Sequence, residues 1–346
     1  MDSRTFIAAS AIALFAMSCS SAPTNSKSVT LVTHDSFAIS ASVLKAFERE
    51  SGIDVRVLKG GDAGEVLNQA ILTKGTPLGD VLFGVDNTFL ARALDANIFV
   101  PYKALGLDDL SPALHIDPTH RATPIDWGDV CINTDIAWFV KRGIDPPNNL
   151  TDLLDPRYRG LLVVENPATS SPGLAFLLAT IAKADKHGWQ NYWERLRDND
   201  VLVVDGWEQA YNTEFSGSAS KGSRPLVVSY ATSPAAEVMF ADPPITVAAT
   251  GNIDTTCFRQ IEMAGILKGA KHPKEARALI DFLVSEQFQK DVPTSMFVYP
   301  ARSNTPLPEA FEQFAPPPTA SSSLPPSEIS ANRDEWIERW TEIVLR

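Results

Sequence analysis

Two Ser-Pro dipeptides stand where a helix could begin and an anion could bind. Ser171-Pro172 and Ser233-Pro234 each follow a strand-like apolar run and precede an apolar, helix-like segment. Serine is a favoured N-cap, and proline suits the first helical position. The free N–H groups and positive dipole end of such a helix attract anions. Helix capping without a ligand explains either dipeptide alone, but their recurrence makes an anion site a serious alternative.

Aromatic and acidic side chains recur at loop positions along the sequence. The candidates are Asp35, Asp62, Trp207, Tyr230 and Phe297. Each aromatic face stabilises a cationic ring by about 0.5–2 kcal/mol, and a carboxylate can accept a hydrogen bond from a ring amine. Any one of these aromatic residues could belong to the core. Together they predict a site for a flat cation.

Motifs for catalysis or metal binding are missing from the sequence. The histidines (residues 34, 115, 120, 187 and 272) are scattered, and no His-Glu-x-x-His, Cys-x-x-Cys, Gly-x-Ser-x-Gly or P-loop occurs. Spacing alone leaves open Cys131 as a nucleophile with His34 as its base, but the apolar residues around Cys131 favour a buried thiol or a disulfide. We therefore expect no enzyme, no catalytic residue, no metal site and no cofactor.

The charge balance narrows the class of partner. The 346 residues include 30 basic and 42 acidic side chains, for a net charge of −12 at pH 7. Nucleic acid would be repelled, so it is not an expected partner. An acidic protein suits a cationic ligand, although such a charge also serves solubility alone.

The N-terminus has the pattern of an export signal. The apolar run at 6–17 is shorter than the 20 or so residues that span a bilayer, and small residues precede Cys19. Ala-Met-Ser-Cys at 16–19 loosely matches a lipobox, and a polar tether reaches residue 28. We expect lipidation of Cys19 and a location at the outer face of the cell membrane or in the periplasm. The alternative is a cleaved signal with an incidental cysteine.

The other two cysteines, Cys131 and Cys257, are expected to form a disulfide, as paired cysteines in exported proteins commonly do. The loop between them exceeds a hundred residues, so closing it would stabilise the fold by about 4–5 kcal/mol. Spacing does not show whether the two Cα atoms approach closely enough.

Alternating strands and helices must position the candidate residues. Strand-like runs at 29–33, 53–58 and 80–85 are separated by helical patterns, which predicts parallel βαβ units. A second set follows, with strands at 161–164, 201–204 and 226–229. Ligands bind at the carboxyl ends of such strands. The loops there contain 34–36, 61–63 and 86–87 in the first set, and the two Ser-Pro dipeptides in the second.

Several segments resemble one family. Residues 147–161 and 281–289 resemble segments of bacterial periplasmic solute-binding proteins of ABC transporters, of type II. Six ordered motifs resemble the thiamine-binding branch, and they lie at 33–37, 84–87, 169–174, 206–211, 229–234 and 293–300. The resemblance runs from about residue 29 to the C-terminus.

The resemblance implies a two-lobed α/β fold, each lobe a mixed sheet flanked by helices, with the ligand in the cleft between them. We expect lobe 1 at 29–125 plus 258–300, and lobe 2 at 126–257 plus 301–346. Crossover strands near 124–130 and 254–260 would form a hinge. The implied partners are a small-molecule ligand, thiamine or its phosphates, and ABC permease subunits in the membrane. A monomer is expected.

The resemblance also implies site residues. Those that match the family pattern are Asp62, Ala63, Ser170, Ser171, Trp207, Tyr230, Ala231, Thr232 and Ser233. Three positions depart from it, because His34 and Ala236 stand where Tyr is usual and Phe297 stands where Trp is usual. We keep His34 and Phe297 as binding candidates, beside Asp35. Each departure removes aromatic surface, so exclusive specificity for thiamine does not follow.

Other solutes and one enzyme class remain as alternatives. A polyamine carrier needs carboxylates and aromatic rings, which Asp35, Asp62 and Trp207 could supply. A phosphonate carrier is a second alternative. A ferric carrier usually has adjacent tyrosines, and none occur here. An exported hydrolase of phosphorylated thiamine is the alternative outside the binding class.

Overall fold

The computed structural model describes residues 27–346 apart from 185–186 and 218–220. The apolar N-terminal run and the proposed lipid site at Cys19 lie outside the described residues. Within the described residues, no helix is both long and apolar enough to cross a membrane.

The first half of the chain forms one side of a sheet from parallel strands. Its elements are β1 (Lys27–Thr33), α1 (Ala41–Ser51), β2 (Ile53–Lys59), α2 (Ala63–Leu72), β3 (Val81–Asp86) and α3 (Leu90–Asp95). β1 lies between β2 and β3 and is parallel to both. Every residue of β3 is buried, as expected for an apolar strand covered on both faces. These elements match the βαβ units predicted from the sequence.

A second parallel set forms the opposite side of the sheet. Its elements are β6 (Leu162–Glu165), α5 (Ser171–Ala182), α6 (Gly188–Asp198), β7 (Leu202–Val204), α7 (Trp207–Gln209) and β8 (Leu226–Tyr230). A π-helical turn, Ala210–Glu214, continues α7. β6 lies between β7 and β8 and is parallel to both.

Two long antiparallel strands join the halves. β5 (Thr123–Asp135) pairs with β9 (Thr250–Leu267) from Thr123 opposite Ala264 to Asp135 opposite Thr250. β9 also pairs with β3, and β5 with β8, so the sheet order is β2-β1-β3-β9-β5-β8-β6-β7. The segments expected to cross between lobes, 124–130 and 254–260, lie within these strands. The mixed α/β architecture confirms the predicted fold class.

The remaining elements cover the sheet. Short strands β4 (Phe99–Val100) and β10 (Tyr299–Pro300) add to β9 and β5. The other α-helices among the described residues are α4 (Ile136–Arg142), α8 (Ser233–Phe240), α9 (Pro273–Leu283), α10 (Glu286–Ser295), α11 (Glu309–Phe314) and α12 (Pro326–Val344). Short 3-10 helices lie at Leu107–Asp109, Pro112–Leu114, Asp152–Leu154 and Pro156–Tyr158.

The C-terminal helix α12 packs against both halves. Trp340 is fully buried and meets the ring of Trp193 on α6 edge to face, with centroids 5.5 Å apart. Arg333 places its guanidinium 4.5 Å from the ring centre of Phe89, beside α3. Trp340 therefore belongs to the main hydrophobic core of the protein.

A disulfide connects the two long strands. Cys131 on β5 and Cys257 on β9 are bonded, with an S–S distance of 1.99 Å and a sequence separation of 126. Both residues are completely buried. The register of β5 against β9 shifts between Val130 and Ile132, so the bridge lies where the strand pairing is irregular.

Candidate ligand-binding site

A cavity of about 840 Å³ lies between the two halves, at the carboxyl ends of the parallel strands. On the side of β1–β3, four residues predicted from the sequence line it: His34, Asp35 and Asp62, and Phe297 from the loop after α10. From the second half, five do: Ser171, Trp207, Tyr230, Thr232 and Ser233. The other three candidates, Ala63, Ser170 and Ala231, are buried and do not line the cavity.

Asp62 occupies the meeting point of three helix starts. It is the N-cap of α2, and its Oδ1 accepts from the N–H of Ala63 at 2.6 Å. Oδ1 also accepts from the N–H of Ser171 at 3.3 Å, and Oδ2 accepts from the N–H of Trp207 at 3.0 Å. Burial raises the pKa of Asp62, although the bond from Trp207 and the nearby His34 oppose that shift. This carboxylate therefore fills the anion position at the start of α5.

One wall of the cavity is an aromatic stack. The rings of Trp207 and Tyr211 lie 5.1 Å apart and 13° from parallel, and Tyr230 meets Trp207 edge to face. Trp207 Nε1 donates to Ser229 Oγ at 2.8 Å, and Tyr211 donates its hydroxyl to Glu237 at 2.7 Å. These bonds hold both rings in place. Tyr211 was missed as a site residue, although it follows Trp207 by one helical turn.

Phe297 and Phe240 form the aromatic group on the other side. Their rings lie 5.0 Å apart in an edge-to-face arrangement, and both line the cavity. Ala236, where the family pattern has an aromatic residue, also lines it. Phe240 follows Ala236 by one turn of α8 and supplies an aromatic ring to the same cavity. The sequence interpretation missed Phe240, which spacing of four residues from Ala236 could have indicated.

His34 and Glu262 form the floor of the cavity, and the buried Asp126 lies beside Glu262. His34 Nε2 lies 3.1 Å from Glu262 Oε1, and Asp126 lies opposite Glu262 in the β5–β9 pairing. Burial raises the pKa of Asp126 well above its usual range, and Glu262 raises it further. Gly84 has a φ of +104°, and a Cβ there would lie 2.5 Å from the His34 ring. Glycine at position 84 therefore makes room for the imidazole.

The charge of His34 results from opposing effects. Burial alone would lower its pKa, but Glu262, with smaller contributions from Asp62 and Asp35, outweighs burial and raises it. His34 is therefore held toward its protonated form beside Glu262. The family pattern has Tyr at this position. A protonated His34 contributes N–H donors there and offers less aromatic surface than a Tyr ring would.

We expect His34 to stabilise the folded protein under acidic conditions. Because its pKa is raised on folding, this contribution is complete below the ordinary value of about 6.5 and is lost as pH rises through the raised value. The difference in unfolding free energy between wild type and His34→Gln should therefore be constant from about pH 5 to about pH 6.5, and should shrink as the pH rises from there to about pH 8. Denaturant titrations across that range measure it. A difference that stays constant up to about pH 8 would contradict the assignment.

The two Ser-Pro helix starts differ in the structure. At α5, Ser170 accepts from the N–H of Gly173 at 3.4 Å, and Asp62 accepts from Ser171. At α8, the buried Thr232 hydroxyl has no hydrogen-bond partner among the described residues and borders the cavity. The start of α8 is therefore the one still open to a ligand acceptor group.

The cavity is strongly acidic. Six carboxyl side chains line it: Asp35, Asp62, Glu208, Glu237, Asp242 and Glu262. The basic residues among its lining are Lys59 and His34. Within the described residues, no group of three or more His, Cys, Asp or Glu side chains could hold a metal ion. The combination of aromatic walls and excess carboxylates suits an organic cation.

Known proteins with similar sequences and folds bind small solutes. The thiamine-binding periplasmic protein of Escherichia coli K12 is 29% identical over 336 residues, which cover 94% of this chain and 96% of that protein. The protein of the same name from Brucella suis is 28% identical over 334 residues, 92% of each chain.

Solved structures and a family model agree with these relatives. A periplasmic thiamin binding protein superposes with a TM-score of 0.80 at 27% identity, covering 92% of this chain and 96% of that one. Iron-bound HitA from Pseudomonas aeruginosa shares the fold, with a TM-score of 0.69 at 20% identity, 92% of this chain and 99% of that one. The model of the bacterial extracellular solute-binding protein family matches residues 76–321. The chain therefore belongs to the family of bacterial extracellular solute-binding proteins.

Proposed function

We propose that this protein captures thiamine, or thiamine phosphates, outside the cytoplasm and delivers it to an ABC permease. The observation that carries the proposal is the cavity itself, in which Trp207, Tyr211 and Phe297 contribute aromatic rings beside the six carboxyl side chains. Thiamine consists of two flat rings joined by a methylene group, and one of the rings is permanently cationic, so the rings match these walls. The relatives named thiamine-binding periplasmic protein support the same ligand.

Each part of the ligand has a complementary region in the cavity. The cationic ring fits between the Trp207–Tyr211 stack and the Phe240–Phe297 pair, where carboxylates such as Glu237 are near. The amino group of the second ring is suited to the floor around Glu262. The hydroxyl or phosphate end is suited to the start of α8, with Thr232 and Ser233 as donors.

The same proposal covers location and organisation. The protein is exported to the periplasm, and Cys19 carries the lipid that keeps it at the membrane. Residues 29–125 with 258–300 form one lobe, residues 126–257 with 301–346 form the other, and the molecule works as a monomer. It returns its ligand unchanged, as a carrier does, rather than hydrolysing it.

Calorimetric titration with thiamine, thiamine monophosphate, thiamine diphosphate and spermidine tests the proposal. We expect at least one thiamine form to bind with a free energy of about −8 to −12 kcal/mol, a Kd from nanomolar to low micromolar. Chromatography of the recovered phosphates should show no hydrolysis. Tight binding of spermidine with no binding of any thiamine form would make the protein a polyamine carrier instead.

A further inference from the structure

We propose that Asp62 is a positioning residue, whose carboxylate fastens the two halves of the protein across the cleft and leaves recognition of the ligand cation to other side chains. The inference deepens the proposed function and rests on it where thiamine serves as the probe. It concerns how the cleft is held closed.

Asp62 joins loops from opposite ends of the sheet. It follows β2, which is one outermost strand, and Trp207 follows β7, which is the other. Ser171 begins α5, which follows β6, the neighbour of β7. The two N–H groups that donate to Asp62 from a distance are therefore 109 and 145 residues away along the chain.

The carboxylate has little capacity left for a ligand. A carboxylate offers about four acceptor positions, and the N–H groups of Ala63, Ser171 and Trp207 occupy three of them. Asp62 is also only 8% exposed. Bonds from N–H groups to an ionised oxygen are stronger than neutral ones, and helix starts favour a negative charge. The arrangement is thus satisfied without any ligand.

Close approach of the two halves at this point depends on a glycine. A Cβ at Gly64 would lie 2.6 Å from the carbonyl oxygen of Thr169 and 2.9 Å from its carbonyl carbon. Thr169 belongs to the turn before α5, in the other half. Gly64 does not line the cavity, so its replacement would disturb closure while leaving every lining side chain unchanged.

Weakening this fastening should raise the population of open molecules. A ligand that binds the closed form stabilises that form only by its differential affinity. Its apparent dissociation constant rises as the closed fraction falls. Loss of the Asp62 bonds should therefore increase the release rate of ligand, and should also open the ligand-free protein.

The experiment combines small-angle scattering with stopped-flow release of thiamine, on Asp62→Ala and Gly64→Ala beside wild type. Both variants should increase the radius of gyration of the ligand-free protein and accelerate release about tenfold or more. Asp62→Asn, which keeps one acceptor oxygen and much of the side-chain volume, should lie between wild type and alanine. It also provides a folded variant if Asp62→Ala is too unstable.

Asp35→Ala is the matched control. Asp35 lines the same cavity, but among the described residues it makes hydrogen bonds only to Ser36, Lys59 and Gly61 of its own half, so its replacement should leave the ligand-free radius of gyration unchanged. A wild-type radius of gyration in both Asp62→Ala and Gly64→Ala would overturn the inference. If thiamine fails to bind at all, the proposed function fails, yet scattering from the ligand-free variants still tests the role of Asp62.

Discussion

Replacing Trp207 with alanine is expected to weaken thiamine binding tenfold or more, which corresponds to at least about 1.4 kcal/mol. The indole supplies one wall of the cavity, where it stacks 5.1 Å from Tyr211. An aromatic face contributes about 0.5–2 kcal/mol toward a cation, and its burial against the ligand adds to that. The backbone N–H of residue 207 still donates to Asp62 in this variant, so the connection across the cleft is kept. Calorimetry measures the loss.

Trp207→Phe is the control for this substitution. Phenylalanine keeps an aromatic face toward the cavity but cannot donate to Ser229, so binding should weaken less than with alanine. Wild-type affinity in Trp207→Ala would remove the indole from the ligand site. A normal melting profile of both variants would show that the change concerns the cavity rather than folding.

Removing the disulfide is expected to have the largest effect on stability. Replacing both Cys131 and Cys257 with alanine should lower the free energy of unfolding by about 4–5 kcal/mol, because the unfolded chain loses the constraint on a loop with a sequence separation of 126. That is a large share of the roughly 5–15 kcal/mol that stabilises typical domains. Alanine is chosen because both sites are completely buried, where a serine hydroxyl would need a partner.

Denaturant titration measures this loss, and a reducing agent provides the control. Reductant should bring the wild type close to the double variant, provided that it reaches the buried bridge, and should leave the double variant unchanged. Equal unfolding free energies for the oxidised wild type and the double variant would contradict the prediction.

The elements of the fold were largely readable from local pattern. The strands at 29–33, 53–58 and 80–85 and the apolar helix after Ser171-Pro172 follow from periodicity and capping. The start of α12 was harder to predict from local pattern. The helix begins at Pro326, directly after a proline-rich segment that resembles a linker. Nothing in the local pattern joins β5 to β9, which are more than a hundred residues apart. The signal that brings them together is the expected Cys131–Cys257 disulfide.

The site was predictable where its residues follow strands, and not elsewhere. His34, Asp62 and Trp207 come directly after strands or between a strand and a helix. Ligands of parallel α/β sheets bind at these carboxyl ends of the strands. Glu262 lies within β9, where a polar residue is compatible with an ordinary strand, so no signal marked it as part of the cavity floor.

The two Ser-Pro starts show a limit of a different kind. The same Ser-Pro dipeptide begins both α5 and α8. At α5 the carboxylate of Asp62 accepts from the N–H of Ser171, whereas at α8 the hydroxyl of Thr232 has no partner among the described residues and borders the cavity. Only the three-dimensional arrangement of distant segments distinguishes them. At the start of α5 the protein itself supplies a carboxylate, and binding of a ligand anion there stays a prediction.

The bonds to Asp62 from the far side of the cleft come from main-chain groups, and this has a consequence for how such proteins diversify. Any residue except proline offers the same N–H. Substitutions at 171 or 207 can therefore change which ligand is bound while the hydrogen bonds to Asp62 across the cleft are kept. Descendants of such a scaffold are free to acquire new cargo while retaining one mode of capture. The same property makes the cleft a practical starting point for engineered sensors.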